Sequence, residues 1–383
     1  MRSPLPPKAY IDQAWFERER ELLLTPLWQF IGLKTMLEKH NAFITRTIFG
    51  IPVVVQNFDG ALQAFENTCL HRHNPIQSAP QGVRPLVCAY HGWGYDRDGA
   101  PANIPFEATL YRFDQTERAC LHLRRFALEC VGNLVFVNLS ADPMPLKRQF
   151  GAAMLATLAA SSLSYDSEVI MTTYHARFNW KLVYENLRDA HHPRYLHART
   201  LNQSVTFNAA VDEAAVEGVR NMARDGTGGP ARALALLRAF SGGGRDAPME
   251  KAAPEPWHQH VERYRDQDWY YNWLVYPNLH IASGNGGYSF TIEHHLPVGP
   301  DRTDIIVYFM TAKKRQPYAS SPAVLLGLMQ GTDSILREDV GVLEDIQRTL
   351  HAGSRPAHLG DYETTNAGIA LWYMEVMEGK IAL

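Results

Sequence analysis

Cysteine is scarce in this chain: 383 residues contain four, Cys69, Cys88, Cys120 and Cys130. So few thiols in so long a chain exclude a disulfide framework. An excess of base is missing too. Lysine plus arginine number 37 against 40 acids, a net charge of −3, and no basic stripe runs along any segment, so nucleic acid is not expected as a partner. No apolar run reaches membrane-spanning length, and the opening MRSPLPPKAYIDQAWFERERELLL has no apolar signal-peptide core. These absences predict a soluble, cytoplasmic protein with no membrane contact. What is present, 46% hydrophobic residues, suffices for a large core, and the length suggests two domains.

The texture changes along the chain. Residues 8–24 carry a helical pattern, with charges opposite Ile11, Trp15 and Leu22. From residue 42 short strands follow: AFITRTIF, IPVVVQNF and ALQAFENT, with Asp59-Gly60 as a hairpin signal between the last two. GNLVFVNLS at 132–140 alternates like a further strand. After residue 145 helix and strand mix. FGAAMLATLAASSL reads as helix, SEVIMTTYHARF as strand, and NWKLVYENLRDAHH as helix again. Strands recur in NLHIAS, GYSFTIEHHL and DIIVYFMTAKK, and helices are predicted over 321–350 and 362–378. Residues 208–256, rich in Gly, Ala and Pro with one helical piece near 231–240, read as a partly mobile excursion of the kind that covers active sites. The fold class is therefore α+β, a small all-β domain followed by a larger domain with an antiparallel sheet flanked by helices. The expected divisions are an N-terminal helical segment at 1–39 packing on the larger domain, the β domain at 40–145 and the larger domain at 146–383.

Two of the scarce cysteines sit beside histidines. Cys69-x-His71 is followed, after sixteen residues, by Cys88-x2-His91. Two thiolates and two imidazoles suit either tetrahedral zinc or iron. One Cys and one His on each of two loops favours a two-iron cluster with Cys on one iron and His on the other. Such ligation raises the potential to roughly −150 to +300 mV, against about −400 mV with cysteine alone. Gly92 and Gly94 allow close loops, and Trp93 is placed to exclude water. Cys120 and Cys130 have no such pairing and are expected as buried, inert thiols. The bland alternative is a zinc-stapled binding module.

CLHRH and VCAYHGWGYDRDG resemble the Rieske motif of the ring-hydroxylating oxygenases, and PVVVQNFDGALQAFENTC resembles the strand and hairpin that lead into it. The resemblance makes Cys69, His71, Cys88 and His91 the ligands of a Rieske 2Fe-2S cluster. His73, where the family often has glycine, is read as a loop residue.

A second constellation lies in NWKLVYENLRDAHHPRYLH. Asp189 and His192 are three apart, on one face of a helix. His197 is five residues beyond His192, about 140° away on a regular helix. Pro193 lies between them, cannot donate to Asp189, and should break the helix and bring both imidazoles to one metal. Two His and a carboxylate form the facial triad of non-haem Fe(II) oxygenases. The order D-x2-H-x4-H, within NWKL and EN, is similar to the same family. That resemblance implies that His192 and His197 ligate a mononuclear Fe(II). It implies that Asp189 is no ligand but bridges to a Rieske histidine of a neighbouring subunit, His91. REDVGVLEDIQRTL resembles the family's C-terminal helix and puts the third ligand at Asp339, with Glu338, Glu344 and Asp345 as rivals. Asn186, three residues before Asp189, is placed to donate a hydrogen bond near the iron. His191 is read as a packed histidine. His294 and His295, on a strand, face opposite sides, and one of them is a candidate for the pocket wall.

The resemblance further implies a terminal oxygenase, the alpha (catalytic) subunit, hydroxylating an aromatic substrate with O2. Electrons would come from NAD(P)H through a separate reductase or ferredoxin. Assembly would be a homotrimer or a hetero-oligomer with a small beta subunit. The alternative is a monooxygenase acting by oxidative demethylation or on a non-aromatic substrate. ENLRDAHHPRYLH looks most like members acting on benzoate-like acids. An arginine should then meet the carboxylate bidentately, and Arg220, Arg224 and Arg232 lie in the excursion. Trp257, Tyr270, Tyr271 and Phe290 are candidate pocket walls or ordinary core aromatics.

Overall fold

The computed structural model describes residues 1–201, 211–225, 229–241, 247–248, 254–316, 321–353 and 355–383. Contacts divide the chain into two compact units, Trp28–Pro143 and Met1–Leu27 with Met144–Leu383. Residues 28–39, grouped above with the N-terminal segment, fall in the β unit because strand Gln29–Leu33 pairs with Leu134–Asn138.

The β unit is built on a seven-stranded antiparallel sheet. Its order is Gln29–Leu33, Leu134–Asn138, Arg125–Val131, Ala61–Glu66, Ile51–Phe58, Ala42–Ile48, Gln81–Val83. The hairpin signal Asp59-Gly60 takes positive φ at both residues (51° and 90°), as the twist of a two-residue turn demands. The sheet's β-branched and aromatic residues enclose a core of Phe43, Val54, Phe65 and Ile76, to which Cys69, Cys88 and Trp93 also belong. The loops carrying both Cys/His pairs thus close on a packed base. Cys120 and Cys130 do not: both are exposed, correcting the expectation of burial. They lie in a polar turn and on an edge of the alternation, where the outward face takes whatever residue stands there.

The larger unit holds a six-stranded sheet ordered Ile170–Ala176, Arg302–Thr311, Ser289–Gly299, Leu279–Ser283, Trp269–Val275, Ala247–Pro248, antiparallel throughout. Helices Leu146–Ser162, Trp180–Arg188, Ser321–His351 and Thr364–Met377 accompany it. The first bends at Gly151, whose φ of 77° only glycine adopts easily. The excursion contains two helices where one was expected, Glu213–Asp225 and Pro230–Ser241. Val216, Val219 and Met222 bury one stripe of the former, at a spacing that fits a helix but was obscured by the surrounding Ala and Gly. Residues 202–210, 226–228, 242–246 and 249–253 of that region lie outside the described residues. No described helix is long and apolar enough to cross a membrane.

Helix Ser321–His351 is pinned at several levels. Tyr174 donates to Asp333 at 2.6 Å, the Arg177 N–H to Glu344 at 2.9 Å, and the Asn179 N–H to Gln347 at 2.9 Å. Helix Trp180–Arg188 is fixed by its N-cap, Asn179, which accepts from the Lys181 N–H. Lys181 itself is buried and paired with Glu19, which also accepts from Trp180 Nε1 at 3.2 Å and from Tyr373. Burial depresses the Lys181 ammonium, and Glu19 opposes that shift. Removing one member of a buried pair strands the other charge. Glu19→Gln is therefore expected to destabilise this unit by about 3–5 kcal/mol. The check is the shift of its unfolding transition in urea, and the paired change of Glu19 and Lys181 to Met should recover most of the loss.

Candidate metal centres

The first centre lies on the loops of the β unit. Cys69 and Cys88 are 1% and 2% exposed. Cys69 Sγ lies 3.5 Å from Tyr95 Oη, and Asn74 Nδ2 donates to Cys88 Sγ at 3.6 Å. The His71 and His91 rings approach to 4.4 Å between centroids. Trp93 is stacked on His71 at 5.1 Å with planes 7° apart, which shields that face. Gly92 has a φ of 75°, and a Cβ there would come 3.1 Å from Pro105, so the loop closes only with glycine. Burial raises the Cys69 thiol and lowers His71. The buried Nδ1 of His71 has no hydrogen-bond partner. His73 has a positive φ of 59° and only its N–H is engaged, to Cys69 O at 2.8 Å, so it stays a loop residue.

One Cys and one His from each of two loops, with the two imidazoles 4.4 Å apart between ring centroids, fit a two-iron group. Among the described residues, a second convergence brings three metal-binding donors within 4.8 Å of one another.

That convergence is His192, His197 and Asp339. Helix Trp180–Arg188 ends five residues before Pro193, earlier than expected. Asp189 leaves the helix with extended backbone, φ −81° and ψ 114°, and Pro193 stands inside the 3-10 turn His192–Arg194 that follows. Asp189 and His192 are therefore neighbours across a break, with Asp189 Oδ2 3.5 Å from His192 Nδ1. The Asp189 Oδ1 accepts the His191 N–H at 2.7 Å. Burial would raise the Asp189 carboxyl, but His192 and the backbone donors hold it low. His192 and His197 face each other at 5.2 Å between ring centroids. Their Nε2 atoms lie 3.8 and 3.1 Å from Asp339 Oδ1. Asn186 Nδ2 donates to the same oxygen at 2.9 Å. The buried Nδ1 of His192 has no hydrogen-bond partner. Two neutral-donor imidazoles and a carboxylate converging at these separations fit a non-haem iron site.

The rivals of Asp339 are engaged elsewhere. Glu338 takes His197 Nδ1 at 2.7 Å and the Thr200 hydroxyl at 2.7 Å, an orienting role that spacing could not separate from ligation. Burial pushes His197 down, but Asp339 and Glu338 hold it above its usual range. Glu344 accepts from the Arg177 backbone and Asp345 pairs with Arg348. His191 packs between Tyr195 and Tyr362, each 5.2 Å away.

A cavity of ≈ 180 Å³ opens beside the trio. Its far wall comes from the sheet, and apart from Tyr270 its residues were not foreseen. His280 and Glu293 are paired across adjacent strands. His280 Nδ1 lies 3.0 Å from Glu293 Oε1, and His280 Nε2 lies 3.0 Å from Asn272 Oδ1. Glu293 Oε2 is 3.1 Å from His295 Nε2. Burial would raise Glu293, but the two histidines hold it far below the usual carboxylate range. The signal was present as polar residues inside apolar strands, in LHIAS and FTIEHHL. Neither His294 nor His295 lines the cavity; of the aromatic candidates only Tyr270 does. No lysine or arginine lines it among the described residues. Arg220 instead faces Asp361 at 3.8 Å, Arg224 lies 3.4 Å from Asp225, and Arg232 is exposed.

The pattern described as "Ring hydroxylating alpha subunit (catalytic domain)" matches residues 166–379, more than half of the chain. The chain belongs to this family. The chain also carries a Rieske [2Fe-2S] domain, matched over residues 27–114. It is 29% identical over 205 residues to the anthranilate 1,2-dioxygenase large subunit of Burkholderia cepacia, covering 51% of this chain and 48% of that one. It is 30% identical over 225 residues to the glycine betaine monooxygenase oxygenase subunit of Pseudomonas aeruginosa, covering 57% and 50%. The match thus spans about half the length of these curated relatives. In fold it is similar to a quaternary ammonium Rieske monooxygenase (TM-score 0.70, 17% identity, 97% and 94% covered). It is equally similar to naphthalene 1,2-dioxygenase from Rhodococcus sp. (TM-score 0.69, 17% identity, 97% and 94% covered).

Proposed function

We propose that the alpha subunit is the terminal component of an oxygenase, with Cys69, His71, Cys88 and His91 holding the cluster and His192, His197 and Asp339 holding Fe(II). The observation that carries this reading is the convergence of two imidazoles and one carboxylate at the wall of a cavity. When bound, the cluster supplies single electrons and the iron supplies O2 activation beside the substrate, since a facial trio leaves coordination positions open. The protein's part is orientation. Asp339 is steadied by Asn186, and His197 is fixed from its far nitrogen by Glu338. Asp189, facing the outer nitrogen of His192, is the route by which the two centres communicate. His91 is exposed on its own unit, which supports an exit of electrons to the Asp189 of a neighbouring subunit, and hence a trimeric ring. A cytoplasmic reductase or ferredoxin drawing on NAD(P)H, and a small beta subunit, belong to the same proposal.

For the substrate, the cavity's charge selects among readings. Asp189, Glu293 and Asp339 line it, and no base does among the described residues. An aromatic carboxylate finds no bidentate partner there and meets a fixed negative wall. A neutral aromatic ring fits between Leu187, Leu201 and Ile335. The second reading, oxidation of a cationic substrate with loss of an alkyl group, is favoured by the same acids and by the face of Tyr270. The test is O2 uptake with a surrogate reductase across neutral aromatics, aromatic acids and quaternary ammonium compounds. Uptake should be weakest with the acids; uptake stimulated only by the acids overturns the charge argument, and none with any class overturns the oxygenase.

A further inference from the structure

Behind the metal trio lies a second cavity of ≈ 180 Å³, lined by Tyr10, Glu185, Asn186, Asp189 and Glu363 among others. Asn186 and Asp189 are the only residues shared by its lining and that of the substrate cavity. These two residues are therefore a partition between two spaces. One space holds the metal ligands, and the other is headed by a carboxyl group with no metal to bind.

Glu185 Oε1 accepts from the Tyr10 hydroxyl at 2.6 Å. The backbone carbonyl of Glu185 is held by Asn366 Nδ2 at 3.0 Å, so the residue is fixed at the cavity wall. Glu185 and Asp189 are four residues apart, Glu185 in the last turns of the helix and Asp189 just beyond its end. The cavity is large enough for a short chain of water molecules between them.

Oxygenase chemistry needs such a route. Monooxygenation consumes one O2, two electrons and two protons per substrate, giving the hydroxylated product and water. Ring dihydroxylation consumes the same electrons and protons and leaves both oxygens on the product. The electrons come from the reductase of the proposed function; the structure has so far supplied no source of protons. We propose that Glu185 is the proton inlet of the catalytic unit, passing protons across the second cavity to the Asn186–Asp189 partition and so to water on the substrate side. In each passage the O–H bond of the Glu185 carboxyl breaks, an O–H bond forms on the adjoining water, the excess proton is handed along the water chain past the Asn186–Asp189 partition to the substrate side, and Glu185 is reprotonated from solvent. The inference rests on the oxygenase reading given above.

The electrostatics support the geometry. Burial raises Glu185 to about 7, partly offset by the Tyr10 hydrogen bond, Lys181 and Arg188, while Glu363 raises it further. These groups, with Asp189, are the titratable and charged neighbours that face it: Tyr10 from the N-terminal turn, Lys181 and Arg188 from its own helix, and Glu363 from the turn Asp361–Glu363. The long helix contributes only Leu343 and Ile346 to this cavity. Glu185 thus holds its proton below about pH 7 and has lost it above, so the relay weakens as pH rises.

Glu185→Gln keeps the acceptor for Tyr10 and removes the proton. Iron content and the visible spectrum of the cluster should be unchanged, kcat should fall on the order of 10²-fold with KM retained, and the limb near neutral pH should vanish from the kcat profile. Infrared titration of the metal-free protein should show a carboxyl band titrating near neutrality in the parent and missing in the variant. A Glu185 carboxyl titrating in the ordinary range, or a variant with the parent's kcat and pH limb, overturns the inlet. If Glu185→Gln does not fold, Tyr10→Phe carries the test. It keeps the carboxyl but loses the bond that lowers it, so the limb moves to higher pH, and an unmoved limb counts against the relay. The infrared arm needs no substrate, so its outcome is separable from a failure of the oxygenase reading.

Discussion

His192→Ala removes the mononuclear iron and leaves the Rieske spectrum intact. The expectation follows from how few contacts hold that site. Three ligand atoms converge within 4.8 Å, and His192 contributes one of them from a short turn after a helix break. Two ligands cannot reproduce the trio, and Asp189 is separated from the site by the ring that the substitution deletes. The cluster residues belong to a different compact unit, with its own sheet and core, so they should not register the change. Iron analysis with visible spectroscopy reads both halves at once. Substrate-dependent O2 uptake should be abolished. An unchanged iron content in a folded variant would remove His192 from the ligand set and with it the oxygenase reading.

Asp189→Asn produces the opposite pattern: metals stay and turnover nearly stops. Asparagine has the same shape and can still accept the His191 N–H through its oxygen. It loses the negative charge that faces His192 Nδ1 at 3.5 Å. A carboxylate behind a metal-bound imidazole sets the ring's tautomer and basicity, and removing it typically costs about 10–100-fold in affinity or activity. Here the expected loss is at the upper end of that range or beyond, because the same carboxylate is proposed to carry the communication between centres. Reoxidation of the reduced cluster under O2 and substrate, followed by its visible absorbance, separates the causes. Slow reoxidation with full iron content supports the bridge. Coupled turnover at the parent's rate would leave Asp189 a packing residue.

The two groups of candidate ligands were legible in the sequence to different depths. Cys69, His71, Cys88 and His91 announce themselves because short spacing alone pairs unlike ligands on two loops. His192 and His197 needed the break that their spacing demanded, and the break occurs at Asp189 rather than at Pro193. The reason is that an extended Asp189 can accept the His191 N–H, which a continuing helix would have used otherwise. Asp339 was legible only by resemblance, since its distance along the chain hides that it reaches the same point as His197. Glu338 was read as a rival ligand. One residue of rotation on a helix decides whether a carboxylate faces the Nε2 or the Nδ1 side of His197, and sequence does not reveal the phase. The Asn272–His280–Glu293 wall was missed because strand register, which pairs His280 with Glu293, is a tertiary fact. The burial expected of Cys120 and Cys130 failed because a preference of residue type does not tell which face of a turn or strand a residue occupies.

The pinned helix Ser321–His351 has a consequence for how such a protein can change over generations. Its register is fixed above and below Asp339 by Tyr174, Arg177 and Asn179, so an insertion of one residue between those pins would swing Asp339 by about 100°. The opposite wall of the substrate cavity hangs on sheet strands, where Asn272, Thr291 or Ala282 can be exchanged without disturbing any ligand. Metal retention and substrate choice are thereby carried by separate scaffolds, and one can drift while the other is held constant.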